Sequence, residues 1–572
     1  MMAVVCALRE KVVHLIKLRP QCVAAILNSV KHNFSVSANE AEYTERPKYP
    51  PILDLSRRAI SERKEREWHE KLRSLETVEE KLFALNLPRY YGWRSLLLTE
   101  GHLLYDTFKF FRYITRTQFS SVEELPFSLE NNGTLSDDLF NKIKNDVQDA
   151  LVFEYKCRRR EEELDCRNNL DEGKMENAVA ASVIKQINRI LLANLSPFIP
   201  HLLTAQVDFE PRVEAFWFVG GMEPSRRQRK GREGMKFLTK EDVERPADRP
   251  VQYFGSPVLQ LRHELPLPVI NTERLQPEGV SSIEHFQFDP RVLGYGFTHR
   301  NGTTIPGFWP GDECEFGLTS FHTRGHLYHR REFCSTYDEE EALHSQAILA
   351  SYAWLLAQAC YKGFSTYNDV TYPFVTQTVV TNGQLWSLYT YQLNTTLVHS
   401  EYALRNEECN FCWGTAPLKL FEEVKDTEVV GFNDKLLKMI IGLYTTAPQE
   451  RVGVNLRPYL KEGKHLVALI DDPERREWLE TRFKHMYSCR PRMRLPYELY
   501  HWEKIYKVDH KTRPMDARRR PFELGINPFR RQYDEHVPEY IPKSLRPEED
   551  KKTKWKKTYY PLSENDYKKS RK

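Results

Sequence analysis

The chain has 572 residues, with 84 Lys+Arg against 80 Asp+Glu, 40% hydrophobic and 12% aromatic residues, so it is long enough for several packed cores and is neither low-complexity nor collagen-like. A mean hydropathy of −0.61 places it among soluble proteins, and ten cysteines are too sparse for a disulfide-stapled scaffold. The net charge of +4 argues against a uniformly basic coat, but a sum says nothing of where the charges sit.

Residues 1–39 carry Arg9, Lys11, Lys17, Arg19 and Lys31 against one acid, Glu10. Basic, acid-poor and amphipathic is the pattern of a mitochondrial presequence. A secretory signal fits worse, because residues 1–8 are apolar before any charge appears; an ordinary amphipathic helix stays open. Residues 40–208 read as a helical N-terminal region. After a Pro-rich opening at 46–51, a charged helix is expected over 54–82, with a narrow stripe of Ile60, Trp68, Leu72, Leu75, Val78 and Leu82. A second helix is expected over 136–164 and a third over 176–195, ended by Pro197 and Pro200.

Residues 209–335 are rich in Pro, Gly and Arg, with short strand-like pieces such as 215–219, and form the least regular, mixed region. Residues 336–450 read as a helix-hairpin-helix core. Its first helix runs to Tyr361; the uncharged run 345–361 is short and carries Gln346 and Gln358, so it reads as a buried core helix rather than a membrane span. Residues 374–381 and 384–393 form a hairpin across Asn382-Gly383, the pair that best tolerates a type I′ turn. That register sets Val379 opposite Trp386 and Phe374 opposite Tyr391. A last helix starts at Asn433 or Asp434 and stops before Pro448.

Few constellations offer chemistry. His322, His326 and His329 would share a helix face and, with Cys314 or Cys334, are a possible zinc set. The surrounding Arg324, Arg330 and Arg331 and the missing Glu of a HExxH motif oppose it. Cys409 and Cys412 form one CxxC with no second pair, which resembles a packed loop. No phosphate-binding glycine loop, nucleophile elbow or kinase signature occurs.

The basic clusters say more. Lys156 and Arg158–Arg160 end one helix, where cations complement the dipole. Arg226, Arg227, Arg229, Lys230 and Arg232 crowd a Gly- and Pro-flanked loop that repels itself and so calls for an anionic partner. The extension 451–572 carries the larger asymmetry: from Arg482 to Lys572 there are 25 Lys+Arg and 13 Asp+Glu, a net of +12, so the +4 total leaves −8 for residues 1–481. Its Arg490, Arg492, Arg494, Arg518, Arg519, Arg520, Arg530, Arg531, Lys556 and Lys557 are threaded among aromatics and prolines. This reads as an extended arm whose cations neutralise phosphates and whose rings stack on unpaired bases, as RNA rather than duplex DNA requires. A solvated basic tail is the alternative.

The segments VTYPFVTQTVVTNG from Val370, YQLNT from Tyr391, NFCWGT from Asn410 and GFND from Gly431 closely resemble the programmed cell death protein 9 family. This is the mitochondrial ribosomal protein first numbered thirty in the small subunit and later placed in the large subunit. YPPI from Tyr49, EEKL from Glu79 and the basic residues 226–232 also resemble it, so the similarity extends patchily from about 45 to 450. The resemblance implies a structural protein of the large mitochondrial ribosomal subunit without enzyme activity. It further implies contact with large-subunit ribosomal RNA near the side of the mobile L1 stalk, other large-subunit proteins as neighbours, and pairing with the related ribosomal protein numbered thirty-seven. It gives no warrant for the extension, since the family pattern ends soon after the helix at Asn433.

The expectation is therefore an α+β protein of the mitochondrial matrix, with a helical N-terminal part, a mixed central domain holding an antiparallel hairpin, and an extended basic C-terminal arm. No cofactor, metal, small-molecule substrate or membrane span is expected. The competing readings are a free mitochondrial RNA-binding or apoptosis-linked factor and a zinc-dependent enzyme using the three histidines.

Overall fold

The computed structural model describes residues 54, 56–86, 93–126, 136–165, 172–235, 238–272, 283–300, 302–308, 312–332, 336–425, 428–459 and 472–477. The expected presequence and the basic residues from 482 onward lie outside them. The chain forms two compact units, Met1–Arg66 and Glu67–Lys572. In the first, the described residues are 54, 56 and the opening of helix α1 (Arg57–Ser74).

The single helix expected over 54–82 is two helices, α1 and α2 (Val78–Asn86). Thr77 separates them: its Oγ1 accepts from the N–H of Glu80 at 3.3 Å, which starts a new helix. There follow β1 (Trp93–Thr99), α3 (Phe108–Thr115), β2 (Thr117–Ser121), α4 (Asp137–Asp165) and α5 (Glu172–Leu195). The second and third expected helices are α4 and α5. Residues 206–323 then supply β3 (Gln206–Phe209), β4 (Val213–Met222), α6 (Arg226–Glu233), β5 (Ala247–Gly255), β6 (Leu259–His263), β7 (Phe297–Arg300), β8 (Ile305–Pro306) and β9 (Phe316–Thr323). The rest is α7 (Thr336–Tyr361), β10 (Phe374–Thr381), β11 (Leu385–Leu393), β12 (Asn410–Gly414) and α8 (Asp434–Thr445), with a few shorter pieces.

The strands form a five-stranded sheet, β7-β1-β5-β4-β8, and an eight-stranded sheet, β2-β12-β11-β10-β9-β6-β3, with Leu418–Lys419 beside β11. The chain is an α+β protein. The stretch that looked least regular in sequence feeds both sheets, and several of its charged residues are buried in pairs. Arg262 of β6 is 1% exposed. It pairs with Asp208 at 2.5 Å and Asp312 at 3.1 Å, and its guanidinium lies 4.4 Å from the centre of the Phe308 ring.

Helix α7 is the central element, as its apolar run predicted. One core joins its Leu343, Ile348, Tyr352, Leu355 and Leu356 to Leu96, Trp217 and Val251 of the five-stranded sheet and to Phe374, Val380 and Tyr391 of the eight-stranded sheet. Trp354 Nε1 donates to Pro306 O (3.0 Å), and Ser351 Oγ lies 2.7 Å from Thr378 Oγ1. A second core lies on the other face of the eight-stranded sheet, where Val375, Val379, Trp386 and Leu388 meet Ile184 and Leu191 of α5 and Leu437 and Ile441 of α8. Alternate residues of β10 and β11 thus feed different cores, the period-two consequence of burying both faces.

The hairpin forms, but its register is not the expected one. Thr381 pairs with Trp386, Val379 with Leu388 and Phe374 with Leu393. Asn382 explains the shift: its Oδ1 accepts from the N–H groups of Gln384 (3.1 Å) and Leu385 (2.7 Å), so the side chain holds a longer loop than a two-residue I′ turn. Gly383 supplies the required positive φ of 96°. The last helix begins as predicted: Asn433 Oδ1 accepts from Leu436 N–H at 3.1 Å.

Candidate nucleic-acid interface

The five clustered cations 226–232 sit on helix α6, not in a loop. Ser225 and Gln228 close a capping box: Ser225 Oγ accepts from Gln228 N–H (3.4 Å) and Gln228 Oε1 accepts from Ser225 N–H (2.9 Å). Two otherwise orphaned donors are thereby satisfied, enough to start a helix in a chain segment that repels itself. The Ser-x-x-Gln spacing was present in the sequence and is the signal the charge pattern obscured.

Helical geometry then divides the cations. At about 100° per residue, Gln228, Arg229 and Arg232 share one face and Arg226, Arg227 and Lys230 the other. The first face is tied down. Gln228 Oε1 accepts from buried Arg249 of β5 at 2.7 Å, and Arg249 also donates to Glu223 O (2.6 Å) and Asp289 Oδ2 (3.2 Å). Arg229 pairs with Glu244 at 3.0 Å and Glu223 at 3.4 Å. Arg232 donates to the carbonyls of Asp242 (3.4 Å), Val243 (3.0 Å) and Arg245. By contrast Arg226, Arg227 and Lys230 are exposed, and none of their side chains has a hydrogen bond or an ion pair among the described residues. Three of the five candidates are therefore available to an anionic partner, and two hold the helix in place.

Lys156 lies within α4, which continues to Asp165, so the 156–160 cluster does not end a helix as expected. The candidates from Arg490 to Lys557 lie outside the described residues.

The histidines do not assemble. His322 is in β9, and His326 and His329 follow in a 3-10 helix, Gly325–Glu332, so they share no helix face. Cys334 lies outside the described residues, and among those described no group of three His, Cys, Asp or Glu side chains is placed to hold a metal ion. Instead His322 Nδ1 lies 2.5 Å from Glu100 Oε1, and His322 Nε2 lies 3.1 Å from Ser320 Oγ. These spacings are those of a nucleophile-base-acid triad. All three groups are sealed, however, with Ser320, His322 and Glu100 at 1%, 3% and 4% exposure. The group serves as a polar rivet between layers. Glu100 follows β1 of one sheet, His322 belongs to the other, and Gln346 of α7 donates to Glu100 Oε1 at 3.0 Å, while Ser256 N–H donates to Glu100 Oε2 at 2.7 Å. Burial alone would raise the Glu100 carboxyl, but the His322 charge and these hydrogen bonds take it below the ordinary carboxylate range.

Cys409 and Cys412 are buried and unlinked. Cys409 directly precedes β12 and Cys412 lies within it, opposite Tyr391 of β11, so the pair belongs to a strand rather than the expected packed loop. Burial pushes the Cys409 thiol up to about 11 and the Cys412 thiol higher, which opposes thiolate chemistry.

No helix among the described residues is long and apolar enough to cross a membrane. Compared with known families, the chain matches the family described as Mitochondrial 28S ribosomal protein S30 (PDCD9) over residues 18–448. That span is well over half of the 572 residues, and the chain belongs to this family of mitochondrial ribosomal proteins. The match begins within the segment read as a presequence.

Proposed function

We propose that the chain is a structural component of the mitochondrial ribosome in the matrix, built into the large subunit and without a catalytic role. The family match carries the ribosomal reading. It is deepened by α6, where two cations tie the helix to Glu223 and to the segment 242–245 and three are held out with no acidic partner among the described residues, an arrangement suited to ribosomal RNA phosphates. The basic residues of the extension serve the same end by charge. The triad-like Glu100–His322–Ser320 group is closed to substrate, which favours scaffolding over catalysis.

The large-subunit placement, the neighbouring large-subunit proteins and the pairing with the related ribosomal protein numbered thirty-seven come from the family resemblance. The 28S of the family's own description points to the other subunit, so the experiment must separate the two. Mitochondrial lysate is sedimented at low salt after the subunits are dissociated. The expected result is co-migration with large-subunit ribosomal RNA. Co-migration with the small subunit would overturn the placement, and recovery at the top of the gradient would overturn the ribosomal reading in favour of a free RNA-binding factor.

A further inference from the structure

Beside α6 lies a cleft of about 560 Å³, lined by the end of β4 and the start of β5 and by the turn at Ser400 and Glu401 with the short helix Tyr402–Arg405 that follows it. Its position follows from a close backbone approach. Gly220 N–H donates to Val398 O at 2.9 Å, and a Cβ on Gly220 would sit 2.3 Å from Ser400 O, so only glycine lets the turn settle on the strand. Ser400 is held at a φ of +50°, unusual for a residue with a side chain. Asp248 fixes it there, accepting from Ser400 N–H at 2.8 Å and Ser400 Oγ at 2.9 Å. Such a locally strained, doubly fastened wall is preorganised rather than collapsible.

The groups lining the cleft carry one excess positive charge, Arg232, Arg245 and Arg405 against Asp248 and Glu401. Arg245 and Arg405 both pair with one carboxylate, Glu401, at 2.9 and 2.8 Å, and both guanidiniums stay largely exposed at 56% and 77%. Arg232, also at the cleft, is satisfied by backbone carbonyls, without an acid of its own among those bonds. In the same cleft lining, Leu404, 54% exposed, and Pro246 offer apolar surface. Excess guanidinium beside an apolar wall, in a recess of one-nucleotide scale, is the chemistry that holds a phosphate while a base lies flat against the wall.

We propose that this cleft receives a single unpaired nucleotide of RNA, with Arg245 and Arg405 on its phosphate and Leu404 and Pro246 against its base. The inference rests on the RNA-facing reading of α6 and adds to it a selectivity: the outer face of α6 takes any phosphate backbone, whereas the cleft takes only an unstacked base.

The test uses the full chain and a photo-crosslinkable, 4-thiouridine-containing unstructured RNA of about twelve nucleotides, with a paired duplex of the same length as control. Crosslinked peptides are mapped by mass spectrometry. The expected result is a crosslink in the peptide containing residues 400–405 with the single strand and none there with the duplex, reduced several-fold in the Arg245→Ala/Arg405→Ala variant. Both side chains are exposed, so the variant keeps its fold, which a circular-dichroism melt checks. Crosslinks on α6 or the extension but not at 400–405, equal crosslinking by the duplex, or indifference to the double substitution would overturn the cleft assignment alone. Displacement by polyglutamate but not by competing single-stranded RNA would reassign it to an acidic protein. Absence of any crosslink along the chain would overturn the RNA-facing reading itself.

Discussion

Lys81 Nζ donates to the carbonyl of Tyr459 at 2.5 Å, joining α2 to a residue 378 positions later in the chain. Around this bond, Tyr459 meets Phe364 edge-on with ring centres 5.6 Å apart, Tyr372 Oη donates to Leu456 O at 2.8 Å, and Arg451 donates to the carbonyls of Pro373 and Leu267. Arg457 pairs with Glu315, which also holds buried Lys362 at 2.5 Å, and Arg475 pairs with Glu80. Residues 451–459 lie beyond the family match, yet they are part of the folded body.

Two truncations should therefore behave differently. Ending the chain after Glu450 strips partners from Lys81, Glu315 and Phe364 and should lower the thermal midpoint measurably, at a cost of several kcal/mol for the uncovered groups. Ending it after Glu477 should leave the midpoint unchanged and remove the +12 of residues 482–572. Only the second variant tests the extension: its retention on the ribosomal subunit should weaken more steeply with salt than that of the full chain. Equal salt profiles would show that the extension contributes no phosphate contacts.

On α6, the triple variant Arg226→Ala/Arg227→Ala/Lys230→Ala should melt like the parent, since these side chains are exposed and unpaired among the described residues. It should shallow the salt dependence of single-stranded RNA binding by about 2 in the log–log slope, from three lost phosphate contacts. Arg249→Ala should do the reverse, destabilising the fold by about 3 kcal/mol because Asp289 and the Glu223 carbonyl lose a buried partner. Titrations at several salt concentrations, with melts of the same samples, check both.

The Glu100–His322 rivet predicts that Glu100→Ala costs about 3–5 kcal/mol in denaturant unfolding, because His322, Gln346 and Ser256 N–H all lose a buried acceptor. Ser320→Ala should cost far less, removing a hydroxyl only 3.1 Å from His322 and leaving the Glu100–His322 hydrogen bond intact. Similar losses from the two changes would contradict the rivet.

Acid should weaken the fold through two other histidines. Burial pulls His326 down to about 4, with Glu100 pulling the other way and Arg330 and Arg324 adding to the fall; burial likewise takes His344 to about 4. Above the unfolded value of about 6.5 both are neutral in either state. As pH falls from there towards 4, only the unfolded chain takes up these protons, so stability is lost through that window. Each should contribute about 1 kcal/mol of loss at pH 5.5, read as a drop in urea midpoint. The drop should shrink in His326→Gln and again in His326→Gln/His344→Gln.

The sequence by itself determined the elements whose cause is local. The apolar run of α7, the Asn433 cap of α8 and the Asn382-Gly383 turn all appear where residue pattern and capping chemistry put them, and the segments from Val370 to Asp434 identified the family. Tertiary structure decided what depends on distant partners. The hairpin register moved by two positions because one side chain of the turn bonds its own backbone. The cations of 226–232 divided into fasteners and charges unpaired among the described residues because Arg249, Glu244 and the carbonyls after residue 241 came to lie under one face of α6. His322 became a rivet rather than a ligand because Glu100, 222 residues earlier, is where the two sheets meet. Periodicity and capping act over a few residues and can be read along the chain, whereas pairing of buried charge and strand order are settled only when residues far apart in sequence compete for the same interior.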